Sequence, residues 1–133
     1  MRLYPPAPMR TGRVARAADE ICGHPVAQGM EIAILPWVVH RHRSLWDDPD
    51  RFDPERFSRE SSATRPRFAY LPFGGGPRVC IGAQLALTEV SLLVATMAQR
   101  YRLKLVPRQK IVLRHRVTLR PRGGIRVQLE RRS

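Results

Sequence analysis

Residues 73–82 read FGGGPRVCIG: three glycines, a proline, an arginine and a cysteine, after which an apolar run begins. Glycine lacks a side chain and accepts left-handed torsions, so the chain gives up backbone order directly ahead of a thiol. From Ile81 to about Arg100, Ala83, Leu85, Ala86, Leu87, Val90, Leu92, Leu93, Val94, Met97 and Ala98 put apolar surface on nearly every side of a helix. A helix of that kind is a buried one. Cys80 therefore stands at a helix start, where unpaired N–H groups and the positive end of the dipole favour an anionic sulfur. Arg78 adds a fixed positive charge two residues away.

Several chemistries use a cysteine or a glycine-rich loop. A nucleophilic cysteine needs a histidine base, and the spacing of His24, His40, His42 and His115 singles out none of them. A phosphate-binding loop of the Gly-x-x-x-x-Gly-Lys-Ser/Thr type needs a lysine after the glycines, and none is there. Cys22 and Cys80 are the only cysteines, too few for a disulfide framework and without a Cys-x-x-Cys zinc pattern. Cys22 reads as an incidental or packed thiol.

Upstream of the loop, YPPAP at 4–8 is extended, because proline fixes its own φ and pushes its predecessor out of the helical region. Strands are predicted around Arg13 to Ala15 and Glu20 to Cys22, with a turn over Cys22 to Pro25 and another at Gln28-Gly29. Alternation over Met30 to Leu35 predicts a half-buried strand, followed by a short helix from Pro36 to about His42. The segment WDDPDRFDPERF, 46–57, has two Asp-Pro breaks and reads as a wound loop pinned by aromatics. Residues Ser58 to Arg67 look like an exposed variable loop. Downstream, alternation and the turn at Pro121-Arg-Gly-Gly predict a C-terminal β-hairpin over about 112–129.

With 133 residues the chain has the size of one small domain or of a piece of a larger one. Its net charge is +13, and 22 of its 24 basic residues are arginine. Such a balance favours an anionic partner. The arginines are spread along the chain without a zinc-finger or basic-zipper pattern, so nucleic acid is not the expected partner, although an arginine-rich nucleic-acid-binding protein stays as an alternative. The opening MRLYPPAP is unlike a signal peptide, and the longest apolar stretch, Val90 to Ala98, is too short for a membrane segment. A cytoplasmic location is expected.

The spacing Phe73-x-x-Gly76-x-Arg78-x-Cys80-x-Gly82 resembles the haem-binding signature of the cytochrome P-450 family in all five fixed positions. The resemblance extends over nearly the whole chain and keeps the family's order. Arg2-Leu-Tyr-Pro-Pro is similar to the end of the family's Glu-x-x-Arg helix. Residues 46–57, with Pro54-Glu55-Arg56-Phe57, resemble its meander, and Val117 to Leu129 its C-terminal sheet. The fold it implies is mainly α with small β-sheets (α+β), the C-terminal fragment of a single P-450 domain. Its parts would be substrate-side strands over 1–35, the meander over 36–72, the haem-binding loop over 73–82, the buried helix over about 81–100 and the C-terminal sheet over 101–133.

The same resemblance implies residue roles. Cys80 would be the axial thiolate on the iron of haem b, iron protoporphyrin. Phe73, Gly74, Gly76, Ile81 and Gly82 would lie around the ring and the sulfur, and Arg78 would pair with a haem propionate. Arg13, placed by its distance from Arg2, is a second propionate candidate. Ala7, Pro8, Met9, Arg10 and Thr11 would face a small-molecule substrate. Arg2 and Arg56, with Glu55 beside the latter, would be structural, two arginines of the family's Glu-Arg-Arg triad. The implied activity is a monooxygenase fed by an acidic ferredoxin or flavodoxin-like reductase carrying electrons from NAD(P)H. The triad glutamate would fall three residues before Arg2, ahead of Met1, and the distal helix would also lie upstream. These 133 residues by themselves are therefore expected to be inactive, and a truncated, non-catalytic haem-binding remnant is the other outcome to weigh.

Overall fold

The computed structural model describes residues 1–9 and 12–132, so the substrate-facing expectation for Arg10 and Thr11 lies outside the described residues. The chain divides into two units, residues 1–74 and residues 75–133.

In the first unit, β1 (Arg13–Val14) pairs antiparallel with β4 (Glu31–Ile32), matching Arg13 to Ile32 and Val14 to Glu31. β2 (Asp19–Ile21) and β3 (His24–Val26) form a hairpin. Its turn residues Cys22 and Gly23 sit at φ 51° and 80°. Positive φ at both central positions is the type I′ hairpin turn, whose twist matches that of the strands. The turn is thus shorter than the predicted Cys22 to Pro25, because Pro25 has no N–H to give and is at home on an edge strand, opposite Glu20.

The short helix α1 (Pro36–Val39) starts on a proline whose φ suits a first helical turn. The segment at 58–67 corrects the variable-loop expectation. Ser58 Oγ accepts from the Ser61 N–H at 3.2 Å and caps a helix, α2 (Arg59–Ala63). The buried residues of this unit include Arg2, Pro5, Val26, Pro36, His40, Trp46, Ala69 and Leu71.

The second unit is built on α3 (Ala83–Arg100), which passes without a loop into β5 (Tyr101–Leu105). β6 (Leu113–His115) and β7 (Leu119–Pro121) make a hairpin, and β8 (Val127–Arg131) returns to pair with β5, Leu103 opposite Leu129. The predicted hairpin over about 112–129 is therefore two pairings, one nested inside the other. Gly123 and Gly124, at φ 78° and 77°, turn the chain away from β7 and towards the five-residue strand that matches β8 in length.

The helix expected over about 81–100 is present as α3, and the described residues do not cover it. No residue of α3 is buried, and Leu85, Leu92 and Val94 are 71%, 64% and 60% exposed. Short two-stranded sheets are too small to cover a helix that is apolar on every side. A patch of that extent marks a surface made to be covered.

Candidate functional site

Two places hold the side chains that the sequence singled out: the glycine-rich loop with its cysteine, and an arginine network in the first unit.

Leu71 to Gly74 form a tight turn, closed by the Gly74 N–H donating to the Leu71 carbonyl at 3.0 Å. Gly74 leaves it at φ 79°, and Gly76 sits at φ 70°. Both torsions lie where an L side chain is strained. The glycines are therefore needed first for conformation. Gly76, Pro77 and Arg78 make one 3-10 turn, and the Val79 N–H donates to the Gly76 carbonyl at 3.1 Å. Cys80 follows, exposed and free of any disulfide. Its carbonyl accepts from the Ala83 N–H at 3.2 Å, which leads the backbone into α3.

Gly82 is the N-cap of α3 and contributes no capping side chain, so the helix start stays open. A Cβ built on Gly82 would stand 4.0 Å from Cys80 Sγ, an ordinary contact, whereas one on Gly76 would meet nothing within 4 Å. Val79, Cys80 and Ile81 are all exposed. An expected result separates the two glycines: Gly76→Ala costs about 1–2 kcal/mol of left-handed strain, while Gly82→Ala leaves stability nearly unchanged. Chemical denaturation of the two variants checks it, and equal losses would contradict the strain argument.

Of the other expected residues, Phe73 is partly buried at the turn and Arg78 is exposed in the 3-10 turn. Arg13 is exposed on β1. Ala7 is partly buried, Pro8 is buried and Met9 is exposed, with the Pro8 carbonyl held by the Trp37 N–H at 3.2 Å.

The arginine network is built around Arg2. Its guanidinium donates to the carbonyls of His40 at 2.8 Å, Pro49 at 2.5 Å and Arg51 at 2.8 Å, and lies over the Trp46 ring at 5.0 Å. Burial works against its charge, as do Arg56 and Arg41 nearby, while Asp50 and Asp53 favour it. Arg56 holds the same loop from the other end, donating to the Asp48 carbonyl at 3.1 Å, and its buried Nε makes no hydrogen bond among the described residues but pairs with the Asp53 carboxylate at 3.8 Å. Glu55 stays exposed at the start of a 3-10 turn that Asp53 caps by accepting from the Glu55 N–H.

Sequence reasoning missed three members of this unit. Arg65 lies over Phe57 at 4.7 Å and over Trp46 at 5.2 Å, and donates to the Arg56 carbonyl. Arg41 stacks on Trp37 at 3.6 Å, pairs with Asp50 at 3.3 Å and donates to the Leu3 carbonyl. His40 is fully buried and bonded at both ring nitrogens. The signal present was the density of aromatics around these cations, since arginine packs its plane on aromatic faces.

Among the described residues no group of three or more His, Cys, Asp or Glu side chains could hold a bare metal ion, and no helix is long and apolar enough to cross a membrane. Charge is divided unevenly. Residues 75–133 carry thirteen Arg or Lys against two acids, Glu89 and Glu130.

The family profile described as Cytochrome P450 matches residues 1–128. Cytochrome P-450 132 of Mycobacterium tuberculosis is 44% identical over 122 residues, covering 90% of this chain and 26% of that protein. Cytochrome P-450 4B1 of Rattus norvegicus is 35% identical over 129 residues, 97% of this chain and 25% of that protein. Among solved structures, the haem domain of cytochrome P-450DA superposes with a TM-score of 0.91 at 30% identity, covering 99% of this chain and 29% of that one. The retinoic-acid-bound cyanobacterial CYP120A1 gives 0.89 at 34% identity, covering 98% of this chain and 30% of that one. The chain thus spans about a quarter of the length of the curated relatives it matches.

Proposed function

The chain belongs to the cytochrome P-450 family, and on that premise we propose that it forms the cysteine side of a haem-thiolate monooxygenase, with Cys80 as the axial ligand of haem b. The observation that carries this reading is the exposed Cys80 sulfur, set at an uncapped helix start behind a loop that left-handed glycines bend.

The residues present fit such a group. A flat macrocycle needs an unobstructed and partly apolar approach to the sulfur; Gly76 leaves open space, and Val79 and Ile81 are exposed on either side of Cys80. When bound, thiolate-ligated haem supplies the activation of dioxygen, one atom of which enters an organic substrate while the other leaves as water. Phe73, Gly74, Gly76, Ile81 and Gly82 would hold the ring beside the sulfur. Arg78 and Arg13 would take the propionates through charge-assisted hydrogen bonds. Ala7 to Thr11 would touch the substrate.

Arg2 and Arg56 fix the meander rather than act in the chemistry. Arg56 Nε, which makes no hydrogen bond and lies 3.8 Å from the Asp53 carboxylate, would also be within reach of a triad carboxylate. The excess of arginine in residues 75–133 supports an acidic ferredoxin or flavodoxin-like reductase as electron donor, because complementary charge speeds docking. The uncovered α3 supports the reading that these 133 residues do not oxygenate a substrate unaided, since a site open to water loses its reactive species. A cytoplasmic setting fits this assignment.

The test is spectroscopic. The protein is loaded with haem, reduced and exposed to carbon monoxide, and a red-shifted Soret band of thiolate ligation is expected. A band of the histidine-ligated kind, or no haem uptake by protein that also contains the family's upstream portion, would sink the assignment.

A further inference from the structure

His40 is fully buried between three segments that are far apart in sequence. Its Nε2 lies 3.0 Å from the backbone nitrogen of Leu71, and its Nδ1 lies 3.3 Å from the carbonyl oxygen of Arg2. An amide nitrogen can only donate and a carbonyl can only accept, so these partners fix the ring as the neutral tautomer with its hydrogen on Nδ1. Leu71 is also buried, and its carbonyl closes the turn by accepting from Gly74. Two successive hydrogen bonds thus run from the His40 ring through Leu71 to Gly74. Phe73 stands between them.

We propose that His40 is a positioning residue for the cysteine loop: as a hydrogen-bond acceptor it pins Leu71, and through Leu71 it sets the turn that presents Phe73 and Gly74. The proposal rests on the reading of residues 73–82 as the haem-binding loop. Protonation defeats the device, because a second N–H at Nε2 would face the Leu71 N–H donor to donor.

The surroundings oppose that protonation. The Arg2 guanidinium donates to the His40 carbonyl, and Arg41 is the next residue, so two fixed positive charges stand beside the ring. Tyr70 packs its ring 5.2 Å away. Burial is the main cause; the hydrogen bond to the Arg2 carbonyl favours the charged ring, but burial with the cations outweighs it and holds the imidazole down to about 4 from an ordinary 6.5. Between those values the open form takes up a proton that the closed form refuses, so opening becomes progressively easier as pH falls from 6.5 to 4.

The experiment is amide hydrogen exchange of the haem-loaded protein, comparing Leu71 and Gly74 with the β1–β4 pair as internal control. His40→Phe keeps the ring and removes the acceptor; Leu71 and Gly74 are expected to exchange at least about 10-fold faster, the equivalent of about 1.4 kcal/mol, with β1–β4 unchanged. His40→Gln supplies an amide oxygen and is expected to restore part of the protection. Unchanged protection at Leu71 and Gly74 in His40→Phe overturns the proposal.

If His40→Phe does not fold, a pH series on the unmutated protein decides. Exchange at Leu71, corrected for its intrinsic rate, must rise between pH 6.5 and 4, and a flat profile overturns the proposal. The carbon-monoxide band of the same samples reports separately. A thiolate band with no His40 effect defeats this inference alone, whereas a missing band with the exchange effect intact defeats the haem reading and leaves the turn's anchor standing.

Discussion

If Cys80 is the haem ligand proposed above, replacing it by serine is expected to abolish the red-shifted carbon-monoxide band of the haem-loaded protein. Serine is nearly isosteric, and at an exposed position the exchange disturbs no packing. The effect is therefore chemical: an alcohol gives up its proton far less readily than a thiol and is a harder donor, so it does not replace thiolate as the electron-rich axial ligand. Cys22→Ser serves as the control. That cysteine sits in the β2–β3 turn of the other unit and is expected to leave the spectrum untouched. Absorption spectra of the two variants check both statements, and survival of the band in Cys80→Ser would assign the ligand to another residue.

The second large effect is structural. Arg2→Ala removes three hydrogen bonds to backbone carbonyls and strips one face of Trp46 of its cation. A hydrogen bond from a charged donor contributes about 1.5–3 kcal/mol, and the His40 carbonyl is left buried without this partner. Allowing for water that reaches the Pro49 and Arg51 carbonyls, a net loss of about 3–5 kcal/mol is expected. That is a large share of the total of about 5–15 kcal/mol that holds an ordinary domain together. Arg2→Lys should recover little of it, because one ammonium cannot span three carbonyls set for a planar fork. Urea denaturation of the variants measures the difference. Indistinguishable midpoints for Arg2→Ala and the unmodified protein would mean that the network is incidental.

The turns of the glycine-rich cysteine loop and the helix behind it were legible because their constraints are local. Glycines at Gly74 and Gly76, a proline and a cysteine at fixed spacing each answer to backbone torsion or to donor chemistry, which neighbours in sequence supply. The extent of α3 followed for the same reason: a long run of good helix formers ends where Tyr101 turns extended. The Arg2 and Arg56 assignments came from a resemblance, and the contacts these residues make could not have been guessed. Arg2 reaches carbonyls 38 to 49 residues away. The 58–67 segment was misjudged because a single serine cap, Ser58, outweighed a polar composition.

Torsion, periodicity and motif spacing are written within a few residues, so the cysteine loop, the helix after it and the family to which they point could be read from the residue order alone. The return of β8 to β5, the packing of Arg65 and Arg2 on Trp46, and the bridge that His40 makes between Leu71 and Arg2 came into view with the folded chain. Those pairings depend on which distant backbone groups meet in a buried place, where an unpaired backbone donor or acceptor is costly. No short window of residues carries that information.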